Sequence, residues 1–388
     1  MKVGWQIKPL EEFCDILDNL RKPITKSVRT QGIYPYYGAT GILDYVEGFL
    51  FDEALVLVGE DGAKWASGQN TAFPVTGKCW VNNHAHVLRP HRDKVIDKWL
   101  INYLVHSDLS RFVSGLTVPK LNQGNLRVIP IPIPSVQEQQ RIIAILDQAF
   151  EGIAKARANA EQNLQNARAL FESHLQSVFS VRGELVEGRG ESWINATLGQ
   201  YIKFIDYRGK TPEKTEGGLR LITAKNVKMG YLQINPREYV APKIYDSWMT
   251  RGIPRLGDVL FTTEAPLANV AQLDTDEKVV FAQRIIIMQP DASKLDSTFL
   301  KYMLLSEPIQ KRIHDKGTGA TVKGIKASLL KNIQISFPNS VSAQAKIVDK
   351  FDALSAETQR LEALYQRKIA LLDELKKSLL QQAFAGEL

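Results

Sequence analysis

Cysteine is nearly absent from this 388-residue chain, Cys14 and Cys79 being its only two. A disulfide framework is thereby excluded, and so is an all-cysteine zinc site, which needs four ligands in close pairs. Both thiols are expected to be ordinary buried or edge residues. Long apolar runs are also missing. None approaches the ~20 residues of a membrane span, and Met1-Lys2-Val3-Gly4-Trp5-Gln6-Ile7-Lys8 lacks the apolar core of a signal peptide. The expectation is a soluble, cytoplasmic protein with no membrane association. Glycine and proline, 26 and 17 residues, are too few for a low-complexity chain, and 44% apolar with 23% charged residues is a globular balance. The length exceeds one ordinary core and suggests two or three domains.

The common catalytic signatures are lacking as well. A Walker A loop needs a glycine five residues before its Gly-Lys, so that backbone amides cradle phosphates. Gly209-Lys210-Thr211 has Phe204 there and Gly77-Lys78 has Ala72. No G-x-G-x-x-G follows a strand. The Asn/Asp-Pro-Pro-aromatic loop that holds the target amine in amino-methyltransferases is absent, and Asn235-Pro236-Arg237 is no substitute. His84 and His86 would share one face of a strand with His91 beyond, but no Cys, Asp or Glu stands at a convincing third-ligand spacing, so no metal is assigned. Asp274, Asp276, Glu277 and Lys278 read as a solvated turn rather than a nuclease cluster.

What is present is a repeat. Ser135-Val136-Gln137-Glu138-Gln139-Gln140-Arg141-Ile142-Ile143 recurs 205 residues later as Ser340-Val341-Ser342-Ala343-Gln344-Ala345-Lys346-Ile347-Val348, and the register holds for some 45 residues, with Leu170 over Leu375 and Phe179 over Phe384. Both segments lack proline and are rich in helix formers. Apolar positions 142, 146, 149, 153, 156 and 160 alternate steps of four and three, as do 347, 351, 354 and then 361, 365 with Thr358 between. That is a coiled-coil seam. After Ala160 and Tyr365 both copies take an extra step of four, to Leu164 and Ile369, a matched stutter that points to two helices packing together. Each would run ~65 Å. The interface candidates are Ile142, Leu146, Ile153, Leu164 and Leu175 on one helix and Ile347, Phe351, Leu361, Ile369 and Leu380 on the other.

The remaining segments repeat more faintly. Ala54–Glu60 is set against Asp258–Glu264, His84–Leu88 against Gln283–Ile287, Trp99–Leu104 against Phe299–Leu304, and the Pro-ended strand 128–134 against 333–338. The expected plan is globe, helix, globe, helix over 1–134, 135–187, 188–338 and 339–388. Charge follows it: residues 1–134 carry 15 Lys and Arg against 13 Asp and Glu, and 191–338 carry 21 against 15, whereas the helical segments have no excess. The globes hold basic, amide and aromatic residues on Gly-bearing loops. Such side chains read base edges, while Lys, Thr and backbone amides hold phosphates. The DNA-contact candidates are Tyr36, Tyr37, Thr40, Glu60, Lys64, Asn82, Asn83, His84 and Lys120 in the first globe. In the second they are Arg208, Lys210, Thr211, Lys225, Asn226, Thr263, Gln283, Arg284, Thr318 and Lys323. Lys120 and Lys323, each after a Thr-Val pair, are the phosphate candidates, and Lys210, Lys225 and Arg284 the base readers.

With these residues the whole chain resembles the specificity subunit of type I restriction-modification systems. The signs are the stretches at 34–41 and 81–90, the Ile-Pro-x-Pro exit into Glu138-Gln139-Gln140, the Ala-Phe-Ala-Gly-Glu-Leu ending, and, in the second globe, Arg-Gly-Lys-Thr-Pro at 208–212, Leu221–Val227 and Gly257–Phe261. Ser342-Ala343-Gln344-Ala345 departs from the family's usual Glu-Gln-Gln. The resemblance implies an α+β fold in which two target-recognition domains are separated by an antiparallel coiled coil of two long helices with pseudo-two-fold symmetry. Each domain would read one part of a split double-stranded DNA target. The chain itself would be non-catalytic and hold no cofactor. Two methyltransferase (modification) subunits would use S-adenosylmethionine, and restriction/translocase subunits would use ATP and Mg2+. The other readings open to the sequence are a stand-alone DNA methyltransferase or nuclease with an unrecognised motif, and a coiled-coil assembly protein without DNA.

Overall fold

The computed structural model describes residues 4–115, 117–180, 192–207, 209, 211–319 and 321–388. In chain order the first globular part holds β1 (Gln6–Pro9), β2 (Cys14–Ile16), β3 (Gln31–Gly38), β4 (Gly41–Val46), β5 (Phe51–Asp52), β6 (Leu55–Gly59), β7 (Ala72–Val75), β8 (Lys78–Val81), β9 (Ala85–Pro90), α1 (Asp97–His106), α2 (Gln123–Arg127) and β10 (Pro130–Ile133). The long helix α3 (Val136–Phe179) follows. The second part holds β11 (Trp193–Thr197), α4 (Leu198–Tyr201), β12 (Ile202–Asp206), β13 (Lys214–Thr215), β14 (Leu219–Ile222), β15 (Glu238–Val240), α5 (Tyr245–Trp248), β16 (Val259–Thr263), β17 (Leu267–Gln272), β18 (Val280–Phe281), β19 (Ile285–Pro290), α6 (Ser297–Leu305), α7 (Glu307–Lys316), α8 (Ala327–Lys331) and β20 (Gln334–Pro338). The chain ends with α9 (Val341–Ala385). No helix of the described residues is long and apolar enough to cross a membrane.

The two parts share one scaffold. A four-stranded antiparallel sheet of order β2-β9-β6-β7 in the first is matched by β12-β19-β16-β17 in the second. Its central strands β6 and β16, Leu-Val-Leu-Val-Gly and Val-Leu-Phe-Thr-Thr, are buried along their whole length, which is why they read as continuous rather than alternating apolar runs. A smaller sheet, β4-β3-β8-β5 or β13-β15-β14-β18, contains one parallel pair in each copy, β3 with β8 and β14 with β18. The ribbons β1-β10 and β11-β20 complete the match. Helices α1 and α6 stand where the sequence places them. The second copy adds α7 where the first has only a short 3-10 turn at Ser110–Phe112, an insertion that the sequence pattern did not suggest.

The chain divides into two compact units, Met1–Glu161 with Gln366–Leu388 and Gln162–Tyr365. Each unit is therefore a globular part plus a stretch of each long helix, a different partition from four consecutive segments. The reason is apolar burial. In the first unit Ile142 and Leu146 of α3 and Leu380 of α9 lie in one core with Trp99 and Leu100. Phe384 packs edge-on against Trp99 at 4.9 Å and Tyr103 at 5.1 Å. In the second unit Leu175 of α3 and Phe351 of α9 share the core of Phe299 and Leu300, and Phe179 packs against Phe299 at 5.3 Å. So the repeat-equivalent phenylalanines 179 and 384 each close the globular part of the other copy.

Within each unit the two helices run antiparallel. In the first, Arg157 pairs with Asp373 and the Lys376 ammonium lies 5.1 Å from the centre of the Phe150 ring. In the second, Arg168 Nε meets Glu362 Oε1 at 2.8 Å and His174 packs edge-on against Phe351 at 5.5 Å. Of the seam candidates, Ile142, Leu146, Ile153, Leu175, Phe351 and Leu380 are buried, and Leu164, Ile347, Leu361 and Ile369 are half-buried. Leu170 and Leu375 match in the repeat yet stand 60% and 47% exposed, off the seam.

Candidate functional site

In the first unit the loop after β6 meets the turn before β9. Glu60 donates its backbone N–H to the His84 carbonyl, and Asp61 pairs with His84 through Nδ1. Lys120 comes in from the loop before α2, with Nζ 2.8 Å from Glu60 Oε1 and 3.9 Å from Asp61 Oδ2. Beneath these lie Asp18, Arg21 and His86. His86 is fully buried, its Nδ1 2.6 Å from Asp18 Oδ2 and its Nε2 2.7 Å from the Leu121 carbonyl oxygen. Arg21 binds Glu60 and donates to the Ala85 carbonyl at 2.8 Å. Burial works against the charges of Asp18 and Glu60, yet both carboxyls are held below their ordinary range. For Asp18 the His86 hydrogen bond, the Val87 N–H and Arg21 outweigh burial, and for Glu60 Lys120, Arg21 and His86 do.

Asp18, Glu60 and His86 bring ligand-type atoms within 4.8 Å of one another. The donor set nevertheless does not suit a cation. His86 Nδ1, the ring nitrogen that faces the carboxylates, is already engaged by Asp18 Oδ2 at 2.6 Å, and the carboxylates already face a guanidinium and an ammonium. The cluster is charge-matched by the protein. His84 and His86, read as sharing a strand face, are separated: His84 is 49% exposed and precedes β9, and His86 is core. His91 pairs with Asp15 at 2.9 Å. Burial pushes the Cys14 and Cys79 thiols up to about 12 and about 11, as inert buried thiols require.

In the second unit the same junction opens into a cleft of roughly 650 Å³ lined by Thr211, Thr263, Glu264, Gln283, Arg284 and Thr318, among others. Thr263 donates its N–H to the Arg284 carbonyl at 2.9 Å, the counterpart of Glu60 to His84. Arg284 Nε meets Glu264 Oε1 at 3.0 Å, the counterpart of His84 with Asp61. Gln283 donates through Nε2 to Thr211 Oγ1 at 2.7 Å. The bridge of Thr318 with Gly324 repeats that of Ser114 with Lys120. These contacts correct the sequence alignment by one residue: Glu60 matches Thr263, His84 matches Arg284, and Lys120 matches Gly324. Lys120 and Lys323 are therefore not equivalent.

The structure sorts the remaining candidates. Tyr36 is 1% exposed, its hydroxyl accepting from the Ile24 N–H at 2.9 Å and its ring covered by Arg29, so it is core rather than a contact. Asn82 and Asn226, 3% and 1% exposed, spend their amides on local turns and are likewise structural. Tyr37 is half-buried beside Phe73. Thr40, Lys64, Asn83 and Lys323 are exposed. Lys225 lies apart from the cleft, paired with Glu238 at 3.3 Å. Arg208 and Lys210 lie outside the described residues. Sequence reasoning missed Asp61 and Glu264 as site residues, although each follows the end of a central strand, where a loop residue has no core role.

Residues 2–162 and 209–371 match the type I restriction modification DNA specificity domain family, one copy in each half of the chain. The chain belongs to this family. It is a specificity subunit with two target-recognition domains. A protein described as a type I restriction enzyme specificity subunit of Haemophilus influenzae is 28% identical over 91% of this chain and 89% of its own length. The MjaVIII specificity subunit of Methanocaldococcus jannaschii is 21% identical over 99% of this chain and 93% of its own length. Among solved structures, a chain from a type I restriction-modification system superposes with a TM-score of 0.75 at 20% identity, covering 100% of this chain and 99% of its own. The HsdS subunit of Thermoanaerobacter tengcongensis gives 0.60 at 19%, covering 100% and 98%. The fold of this specificity subunit is thus the α+β, twice-repeated arrangement of its relatives, and a stand-alone enzyme has no support.

Proposed function

We propose that this subunit binds a split double-stranded DNA target in the cytoplasm, each unit reading one part, with α3 and α9 setting the unread interval. The observation that carries the reading is the repeated junction: a carboxylate paired with a nitrogen-bearing side chain, Asp61 with His84 and Glu264 with Arg284, at the same point of both scaffolds. Polar side chains on loops held by a rigid sheet are what base-edge recognition requires. The chain performs no chemistry of its own. It assembles with two methyltransferase subunits using S-adenosylmethionine and with restriction/translocase subunits using ATP and Mg2+. The helices serve as their docking surface.

Exchange of residues 1–134 for the first domain of another specificity subunit tests the split. Sequencing of methylated sites in cells carrying the exchanged system should show one half of the target changed and the other retained. Change in both halves would reject independent reading. Because Leu380 and Phe384 complete the first unit's core, an exchange that keeps a bulky apolar surface at the Trp99 position should be the better folded one.

A further inference from the structure

Four non-glycine residues among those described have backbone angles in the left-handed region, and all belong to the second unit: Ala265, Ala268, Gln283 and Arg284. Two consecutive long side chains there, Gln283 at φ 55° and Arg284 at φ 66°, are uncommon. Such a conformation persists only when its surroundings fix it, and it concentrates at binding sites. Here the fixing group is Thr263, 3% exposed, whose N–H and hydroxyl both approach the Arg284 carbonyl, at 2.9 and 3.3 Å. The same two residues line the cleft between Thr211 and Thr318.

Resting on the DNA-reading proposal above, we infer that Arg284, buttressed by Glu264, is the side chain by which the second unit reads a guanine in its half of the target. The Glu264 carboxylate engages the guanidinium at Nε, 3.0 Å away, the edge of the group opposite the one a base would meet. A guanidinium held this way has already lost much of its rotational freedom, so less is spent when its planar fork meets guanine O6 and N7. A phosphate contact would need neither an orienting carboxylate nor a fixed backbone, and a neighbouring negative charge would oppose it. The equivalent pair in the first unit carries His84, which offers a single ring nitrogen beyond its Asp61 bond and no fork. The two units therefore read different edges from one scaffold position.

The test uses the full chain expressed with the other subunits of its system and a pool of duplexes with randomised interiors, the bound fraction being sequenced for wild type, Arg284→Lys and Glu264→Gln. Lysine keeps the charge and loses the fork. Arg284→Lys should erase a roughly 5- to 150-fold preference for guanine at one position of one half-site, with the other half-site and the interval retained. Glu264→Gln should weaken the same position less. An unchanged motif, or equal weakening across all sequences, overturns the assignment while leaving split reading intact. Failure of the wild-type chain to enrich any two-part motif overturns the DNA-reading proposal itself, and this assignment with it.

Discussion

Gln139 and Gln344 make the same three hydrogen bonds, 205 residues apart. Gln139 accepts from the Ile96 N–H at 2.9 Å and donates to the carbonyls of Lys94 and Pro134, at 2.8 and 3.1 Å. Gln344 accepts from the Asp296 N–H at 2.8 Å and donates to the carbonyls of Lys294 and Pro338, both at 2.8 Å. Both are fully buried. Each amide thus fastens the first turn of a long helix to the segment leading into the helix that packs on the sheet, and the departure from Glu-Gln-Gln at 342–345 spares the one glutamine that matters.

Replacing Gln344 by leucine leaves a buried N–H and two carbonyls without partners. The expected loss is about 2–4 kcal/mol, read from urea unfolding. Gln140→Leu, exposed one position beyond Gln139, should stay within about 0.5 kcal/mol. Equal effects would deny the fastening role.

Acid should weaken the first unit through Asp18 and Glu60. Their carboxyls lie below the ordinary values of 3.8 and 4.5 in the folded chain. Their contribution is complete above those values and is lost as pH falls through the lower folded ones. Glu60→Gln should therefore flatten the fall in unfolding free energy below about pH 4.5 relative to wild type, at some cost in neutral stability. A fall of unchanged steepness in the variant would place the acid sensitivity elsewhere.

DNA binding is expected to weaken steeply with salt, because each phosphate neutralised by Lys or Arg releases counterions. Lys323, exposed on the loop bordering the second unit's cleft, is the phosphate candidate. Lys323→Ala should lower affinity for all sequences alike and reduce the slope of log affinity against log salt by about 1. Loss confined to one base pair would make it a reader instead.

One turn inserted into α3 between residues 155 and 180 adds ~5 Å of helix against ~3.4 Å per base pair. Sequencing of methylated sites should show the interval between half-sites longer by about one base pair and the half-sites unchanged, provided α9 receives a compensating turn so that the apolar seam stays matched. Full activity with an unaltered interval would reduce the helices to linkers.

Much of this architecture could be read from spacing alone, because a matched seam, a matched stutter and proline-ended strands are local or periodic signals. The helices at Val136 and Val341, the central strands, and the pairing of the two seams all follow from where apolar residues recur. Tertiary structure decided what periodicity does not encode. A one-residue offset between the copies is invisible while both alignments keep apolar residues over apolar ones, and only the backbone bonds of Thr263 to Arg284 and Glu60 to His84 set it. Likewise Tyr36, Asn82 and Asn226 carry the chemistry of a nucleic-acid contact, and burial alone made them structural. The pairing of Asp61 with His84 and of Glu264 with Arg284 joins loops some twenty residues apart, a proximity created by antiparallel strands, which no local pattern along the chain records.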